Sequence, residues 1–521
     1  MRCFAAVVVL LAASAWAGDS RCKGSLKERA ARFSKQALPT LSDPDRHAQY
    51  VKACALDEVV ALASRLIEFP TVSSEASAEK SEAISAMGRF LAGWAKGRGL
   101  SFRVVGKNDV FEVGWGEGKP ALGLLMHGDV VPAPPTDWKR PPFRPVVENG
   151  RLYGRGAEDD KGPIAAALVA MAFARDLGLV PKGKVLVIIG NGEESDWDGM
   201  KAYAEKEPKP THVLSVDSSF PIVVAESGFV AWGLEAEVGE PSPGDEGVAV
   251  AQEALAGEFL TQVPGRAELK LSPRGKTTLE ALEALVKKAA AARPGATVEV
   301  KREGALVVVR AQGRSVHSST AEQGHNALWD LAAVSAQLPL VKNGISVMLG
   351  VVARRFDQDH WGERLGLAYA DALMGKLLVA PTLLRVKDGK VTLEVNMRRP
   401  RGKDTAAFTA SLEAAGKSIV AETNGRVRPS EKPYVGEPHV ADTSGPLVST
   451  LKAIYRRHRP NEEPKLLSIR GGTYARLFPG AVDFGPSLPG EPYTGHSHDE
   501  WIGLGNLELL TRMLAEVVTQ R

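Results

Sequence analysis

The chain has 521 residues, 65 of them basic and 62 acidic, for a formal net charge of +3. That length exceeds what one hydrophobic core serves and calls for two or three compact units. The near balance of charge leaves no basic surplus for a nucleic acid or an anionic membrane surface, so polyanion-binding classes are excluded.

At the N-terminus, Met1–Asp19 carries one arginine (Arg2), an apolar run from Phe4 to Ala13, and small residues at Ala15 and Ala17. This is the pattern of a secretory signal with cleavage expected after Ala17, which places the mature chain in the periplasm or outside the cell. The apolar run falls short of the roughly 20 residues of a membrane span, so no span is expected after signal removal. Cys22 and Cys54 remain after cleavage, and an oxidising compartment would let them pair, although spacing alone does not settle the geometry.

From about Leu56 to Glu226, short apolar runs alternate with helical periodicity. Ala121–Met126 and Lys184–Gly190 read as strands and Gly162–Leu177 as a helix. Such alternation predicts an α/β sheet layered by helices, with its ligand crevice just past the C-terminal ends of the strands. Over residues 227–431 the texture changes to α+β, with strands at Ala305–Ala311 and Lys390–Asn396 and helices at Thr277–Ala292 and Thr405–Ala415. Past Pro433 the α/β texture resumes and ends in an amphipathic helix, Leu507–Thr519. The expected division is a signal at 1–17, one α/β domain in two parts (18–226 and 432–521), and an insert at 227–431.

The apolar runs end in metal-binding residue types. His127 and Asp129 follow the first; residues i and i+2 face one side, so the imidazole can bind a metal while the carboxylate orients its other nitrogen. Alone, such a pair at a strand end is more often a polar turn. Asp159 and Asp160 follow the glycine-rich Tyr153–Gly156 and precede a helix opened by Gly162 and Pro163. N-capping accounts for one of these carboxylates, but not for both, nor for the glycines. Glu193 and Glu194 are either a solvated turn or a general base beside a ligand. Asp217 ends a further run, and His496 and His498 lie in Gly495–Glu500. Together these donors are nitrogen and oxygen without thiolate, a set that suits Zn, Mn or Co. Two divalent ions sharing a carboxylate would clamp a carbonyl oxygen and activate a water. Calcium, which favours six to eight oxygens, is disfavoured by the histidines.

The segments His127–Pro132, Tyr153–Gly156 with Asp159–Pro163, Gly192–Glu194, Asp217–Pro221, Asn396–Arg398 and Gly471–Ala475 resemble the zinc metallopeptidase family of carnosinase, glutamate carboxypeptidase, aminoacylase and succinyl-diaminopimelate desuccinylase. Within it they look most like the bacterial Xaa-His, carnosinase-like dipeptidases. The resemblance implies a phosphorylase/hydrolase-like catalytic sheet with helices on both faces, plus an inserted α+β lid. It also implies two divalent ions, zinc first and manganese or cobalt next, held by His127, Asp159, Glu194, Asp217 and His496. Asp159 would bridge, the Asp159–Asp160 peptide would be cis, and Asp129 would orient His127. Glu193 would be the general base, taking a proton from water and delivering it to the leaving amine. His317, in Gly313–His317, would stabilise the oxyanion, and Arg398, Gly472 and Thr473 would receive the substrate's carboxylate.

His498 rivals His496, and spacing to Glu500 favours His496. The proline-rich Ala133–Thr136 departs from the family's usual glycine, and His212, His325 and His360 read as surface or structural. The long insert resembles the dipeptidase type in which a second lid half replaces a partner, which predicts a monomer. The expected activity is hydrolysis of dipeptides or short peptide-like substrates. An N-acyl amino acid deacylase of the same mechanism is the nearest alternative. A catalytically inactive secreted peptide-binding protein is the alternative of another class, and the presence of Glu193 with all five ligands weighs against it.

Overall fold

A computed structural model describes residues 19–240 and 246–519, so the expected signal at 1–17 lies outside the described residues. The chain forms two compact units. One comprises the segments up to Val224, Val440–Leu467 and Thr473 onward; the other comprises Ala225–His439 and Ser468–Gly472. The expected insert spans 227–431, and the main segment of the second unit spans Ala225–His439. That unit also takes in Ser468–Gly472, which composition had placed with the C-terminal part, and there the Ser227 amide donates to the Ile469 carbonyl at 3.0 Å.

In the first unit a sheet runs in the order Ser101–Val105, Val110–Trp115, Lys184–Gly190, Pro120–His127, His212–Ser215, Val482–Asp483. The last four of these strands are parallel to one another. Buried residues fill Val110–Trp115 and nearly all of Pro120–His127 and Lys184–Gly190, the continuous apolar runs of a covered sheet. The helix Lys161–Asp176 packs against this sheet and against the helices Asp43–Ile67 and Leu504–Thr519. Every residue from Lys161 to Ala174 is buried, which explains why that segment reads as apolar on all sides rather than along one stripe.

The register has a direct consequence for function. Parallel pairing sets His127 beside Gly190 and Leu125 beside Ser215, so three strands stop at one edge. There they release His127–Asp129, Asn191–Glu194 and Asp217 side by side.

The second unit is built on an antiparallel sheet ordered Thr297–Glu303, Leu306–Gln312, Arg266–Pro273, Ala249–Ala256, Leu378–Lys387, Lys390–Arg399, Gly228–Glu237. Its core joins Val230, Leu269, Val307 and Val395 to Leu331 and Met348 of the helices Ala327–Ala336 and Gly344–Arg355. The helix from Thr405 runs on to Glu422, past the expected Ala415, because Phe408, Leu412, Ala415 and Ile419 continue one buried stripe. Among the described residues no helix is long and apolar enough to cross a membrane.

Cys22 and Cys54 form a disulfide with a sequence separation of 32, tying the N-terminal segment to the helix Asp43–Ile67. Closing a loop of that length removes chain entropy from the unfolded state. Cys54→Ala is expected to lower unfolding stability by about 2–4 kcal/mol, read from denaturant midpoints of the variant and the oxidised protein. An unchanged midpoint would show that the segment adds no stability.

Candidate metal centre

His127 ends its strand and is buried. Its Nδ1 lies 3.0 Å from the Asp129 carbonyl oxygen, so Nδ1 carries the proton and Nε2 is turned inward. That Nε2 is 2.7 Å from Asp159 Oδ1 and 3.7 Å from Asp217 Oδ1. Opposite, His496 Nε2 is 3.1 Å from Asp159 Oδ2 and 2.7 Å from Glu194 Oε1. Asp159 therefore offers one oxygen to each histidine. The arrangement is two half-sites, His127 with Asp217 and His496 with Glu194, sharing one carboxylate.

Donor atoms of His127 with Asp160 and Asp217, of His127 with Glu193 and Glu194, and of Asp159 with Glu194 and His496 lie within 4.8 Å of one another in each group. So many carboxylates drawn from water repel. Burial, reinforced by Asp217, pushes the Glu193 and Asp160 carboxyls well above the ordinary range. Burial likewise raises Asp217 to about 6. Burial opposes charge on both imidazoles too, yet Asp217 beside His127 and Glu194 beside His496 overcome it and raise both well above the usual histidine value. Asp159 is the exception: burial would raise it, but the hydrogen bonds from His127 and His496 hold it well below. A cluster in which carboxylates outnumber imidazoles and retain protons to stay together fits divalent cations, and its nitrogen and oxygen donors fit Zn, Mn or Co.

Asp129 has a different main task from the one expected. Its carboxylate accepts the amides of Glu193 at 3.1 Å and Glu194 at 3.0 Å, while its Oδ1 is 3.6 Å from His127 Nδ1. The ring is oriented chiefly by the Asp129 backbone carbonyl, and the side chain fixes the turn that carries the two glutamates. Trp197 Nε1 donates to the Glu193 carbonyl at 2.5 Å, and Tyr474 Oη accepts the Gly192 amide at 3.3 Å. The Asp159–Asp160 peptide is cis. Asp160 sits at the helix N-cap position without capping; its carboxylate accepts the His127 amide at 3.1 Å instead.

The structure separates the two late histidines. His496 joins the cluster, whereas His498 is exposed, with Nε2 3.8 Å from Asp137 Oδ2. Thr473 lies in the first unit, its hydroxyl 2.9 Å from Asp483 Oδ1. His317, Arg398 and Gly472 belong to the second unit. There, Arg398 is buried, donates to Ser318 Oγ at 3.0 Å and Asn396 Oδ1 at 3.1 Å, and lies 5.1 Å over the Phe229 ring. His317 Nδ1 is 2.7 Å from Ser319 Oγ. His325 pairs with Asp330 at 2.6 Å and His360 meets Trp329 edge-on, in line with structural roles. Tyr493, whose hydroxyl donates to Asp159 Oδ2, went unnoticed in the sequence, since a lone tyrosine in a loop gives no signal.

Residues 123–520 match the pattern of Peptidase family M20/M25/M40. The chain belongs to this family of metal-dependent peptidases. It is 32% identical over 414 residues to the putative dipeptidase YtjP of Bacillus subtilis (strain 168), covering 78% of this chain and 83% of that protein. It is 30% identical over 442 residues to the Beta-Ala-Xaa dipeptidase of Lactobacillus delbrueckii subsp. lactis, covering 84% of this chain and 88% of the relative. The fold is shared with crystalline human carnosine dipeptidase 1, at a TM-score of 0.57 and 17% identity over 91% of this chain and 98% of that one.

The raised histidines must lose protons before they can ligate a metal, so zinc uptake at neutral pH is expected to release protons and to weaken as pH falls. Calorimetry in buffers of different ionisation enthalpy reads this directly. His496→Ala should weaken zinc by more than the roughly 10–100-fold that loss of an outer partner costs, whereas His498→Ala should leave it unchanged. The reverse ranking would move the ligand to His498.

Proposed function

We propose that this M20-family peptidase is an exported dipeptidase that hydrolyses the amide bond of dipeptides or similarly short peptide-like substrates, using two divalent ions, zinc first among them. The observation that carries the two-ion assignment is Asp159, with one oxygen toward His127 and the other toward His496. The dipeptidase names of the relatives at 32% and 30% identity support the substrate class.

Bound there, the ions would supply Lewis acidity to polarise the scissile carbonyl and make a water acidic. The chain supplies the proton handling. Glu193 is placed by Asp129 and Trp197 through its own backbone, which leaves its carboxylate beside the ligands His127 and Glu194. Withdrawn from water and facing Asp217, that carboxylate holds a proton more tightly than an ordinary glutamate. This suits a group that takes a proton from water and passes it to a leaving amine. In this scheme Arg398, fixed by Ser318 and Asn396, carries the guanidinium for the substrate's carboxylate, with Gly472 and Thr473 assisting, and His317 is the oxyanion donor.

Export is supported by the Arg2–Ala17 pattern and by the Cys22–Cys54 bond, which persists in oxidising compartments. The length of the insert supports a monomer.

The test is release of amino acids from a dipeptide panel by the metal-stripped protein reloaded with zinc or manganese. Glu193→Ala should lower kcat by about 10²–10⁴-fold while retaining its metal. Turnover of N-acyl amino acids without any dipeptide cleavage would convert the assignment to a deacylase. Zinc binding without turnover of either class would leave a peptide-binding protein.

A further inference from the structure

Two segments far apart in sequence supply the shared carboxylate and the second histidine, and each reaches into the other with a buried glutamate. The strand Trp501–Gly503 pairs antiparallel with Arg151–Tyr153, Trp501 opposite Tyr153, so the turns beyond both strands start from one register. Glu500, fully buried, accepts the Arg155 guanidinium at 2.7 Å and the Gly156 amide at 2.9 Å on Oε2. On Oε1 it accepts the amides of Glu158 at 2.9 Å and Asp159 at 3.1 Å. Glu158 returns the connection. Its Oε2 accepts the Thr494 amide at 2.6 Å and the Thr494 hydroxyl at 2.7 Å, and its Oε1 accepts Ser487 Oγ at 2.8 Å.

Asp159 follows Glu158 directly, and His496 lies between Thr494 and Glu500. We infer that Glu158 and Glu500 form a reciprocal clamp, a pair of positioning residues that sets the separation of Asp159 from His496 and so creates the half-site on the His496 side. This rests on the two-ion assignment above. Backbone conformation adds a reason for the clamp. His496 has φ 62° and Asp499 φ 54°, left-handed values that are unfavourable for non-glycine residues and persist only where surroundings impose them. The other half-site owes less to the clamp, because His127 and Asp217 leave paired strands of the sheet.

The carboxylate chemistry makes the clamp testable with near-isosteric changes. In Glu500→Gln one oxygen becomes an amide NH2. Whichever way it turns, it faces two donors, either Gly156 N–H with Arg155 or the amides of Glu158 and Asp159. In Glu158→Gln the remaining oxygen can still serve both Thr494 donors, so that variant should behave more like the natural protein than Glu158→Ala.

The experiment is stepwise zinc and cobalt titration of the metal-stripped full chain against a chromogenic chelator, with thermal unfolding of each metal-free variant alongside. Glu500→Gln and Glu158→Ala should weaken one equivalent by about 10–100-fold, the range for loss of a group that orients a ligand. The weakened equivalent should be the one whose cobalt absorption His496→Ala abolishes, with the other equivalent little changed and Glu158→Gln largely restored. Two outcomes overturn the clamp: lowered thermal stability with both equivalents bound as in the natural chain, or equal weakening of both. Fewer than two equivalents in the natural chain would instead defeat the two-ion assignment itself, and the clamp with it.

Discussion

Everything in the first unit is arranged around one awkward fact, that Asp159, Asp160, Glu193, Glu194 and Asp217 are gathered within reach of two imidazoles. Like charges withdrawn from water are costly, and proteins meet that cost with protons, hydrogen bonds or metals. The first two are visible here. Asp159 is kept ionised by His127 and His496, whereas Glu193, Asp160 and Asp217 are pushed upward by burial. A site that holds protons in this way is prepared for divalent cations to replace them.

The scaffold answers that cost with rigidity. Parallel strands in fixed register deliver His127, the Glu193–Glu194 turn and Asp217 to a single edge. The buried helix Lys161–Asp176 supports the loop that carries Asp159. At its start Gly162 lies so close to the Ala157 carbonyl that a Cβ would collide with it, which is why glycine is needed there. Lys161 is buried beside it and donates to the Phe69 carbonyl at 2.6 Å, and burial brings its ammonium down to about 7 despite the nearby Glu500.

What the sequence made legible follows from periodicity. Strand ends in a parallel sheet point ligands the same way, so His127, Glu193, Glu194 and Asp217 could be read from where apolar runs stop. Strand Lys184–Gly190 is legible to the residue, while the helix from Thr405 reads as ending at Ala415 because Gly416, Lys417 and Ser418 interrupt its apolar pattern before Ile419. Between Asp159 and Asp160, adjacency gave no preference from the residues themselves; only geometry shows Asp159 between the histidines and Asp160 turned to the His127 amide. Trp197, Tyr493 and Glu158 left no trace. Their effect runs through a few hydrogen bonds, those of Tyr493 and Glu158 to partners more than 300 residues away, and neither composition nor spacing encodes such pairs.

That difficulty has a common physical root. Acidic residues at this site do two jobs that look identical in a sequence. Some face the space where cations would sit. Others hold the backbone of a neighbouring ligand segment: Asp129 holds Glu193 and Glu194, Asp160 holds His127, and Glu500 holds Gly156 to Asp159. A carboxylate suits the second job because its two oxygens can each take several N–H donors, where an amide would offer only one acceptor. Hydrogen bonds to a charged acceptor in a dry interior are also stronger than those between neutral groups. Where a holding carboxylate is ionised, its charge adds to that which draws the cations; Asp160, pushed upward by burial, holds His127 with less of that charge. Removing any one holding carboxylate therefore changes two quantities together, the position of a ligand and the field at the site. Near-isosteric amides remove a charge at either Glu158 or Glu500 but leave donors unmet only at Glu500, so comparing the two separates ligand position from field.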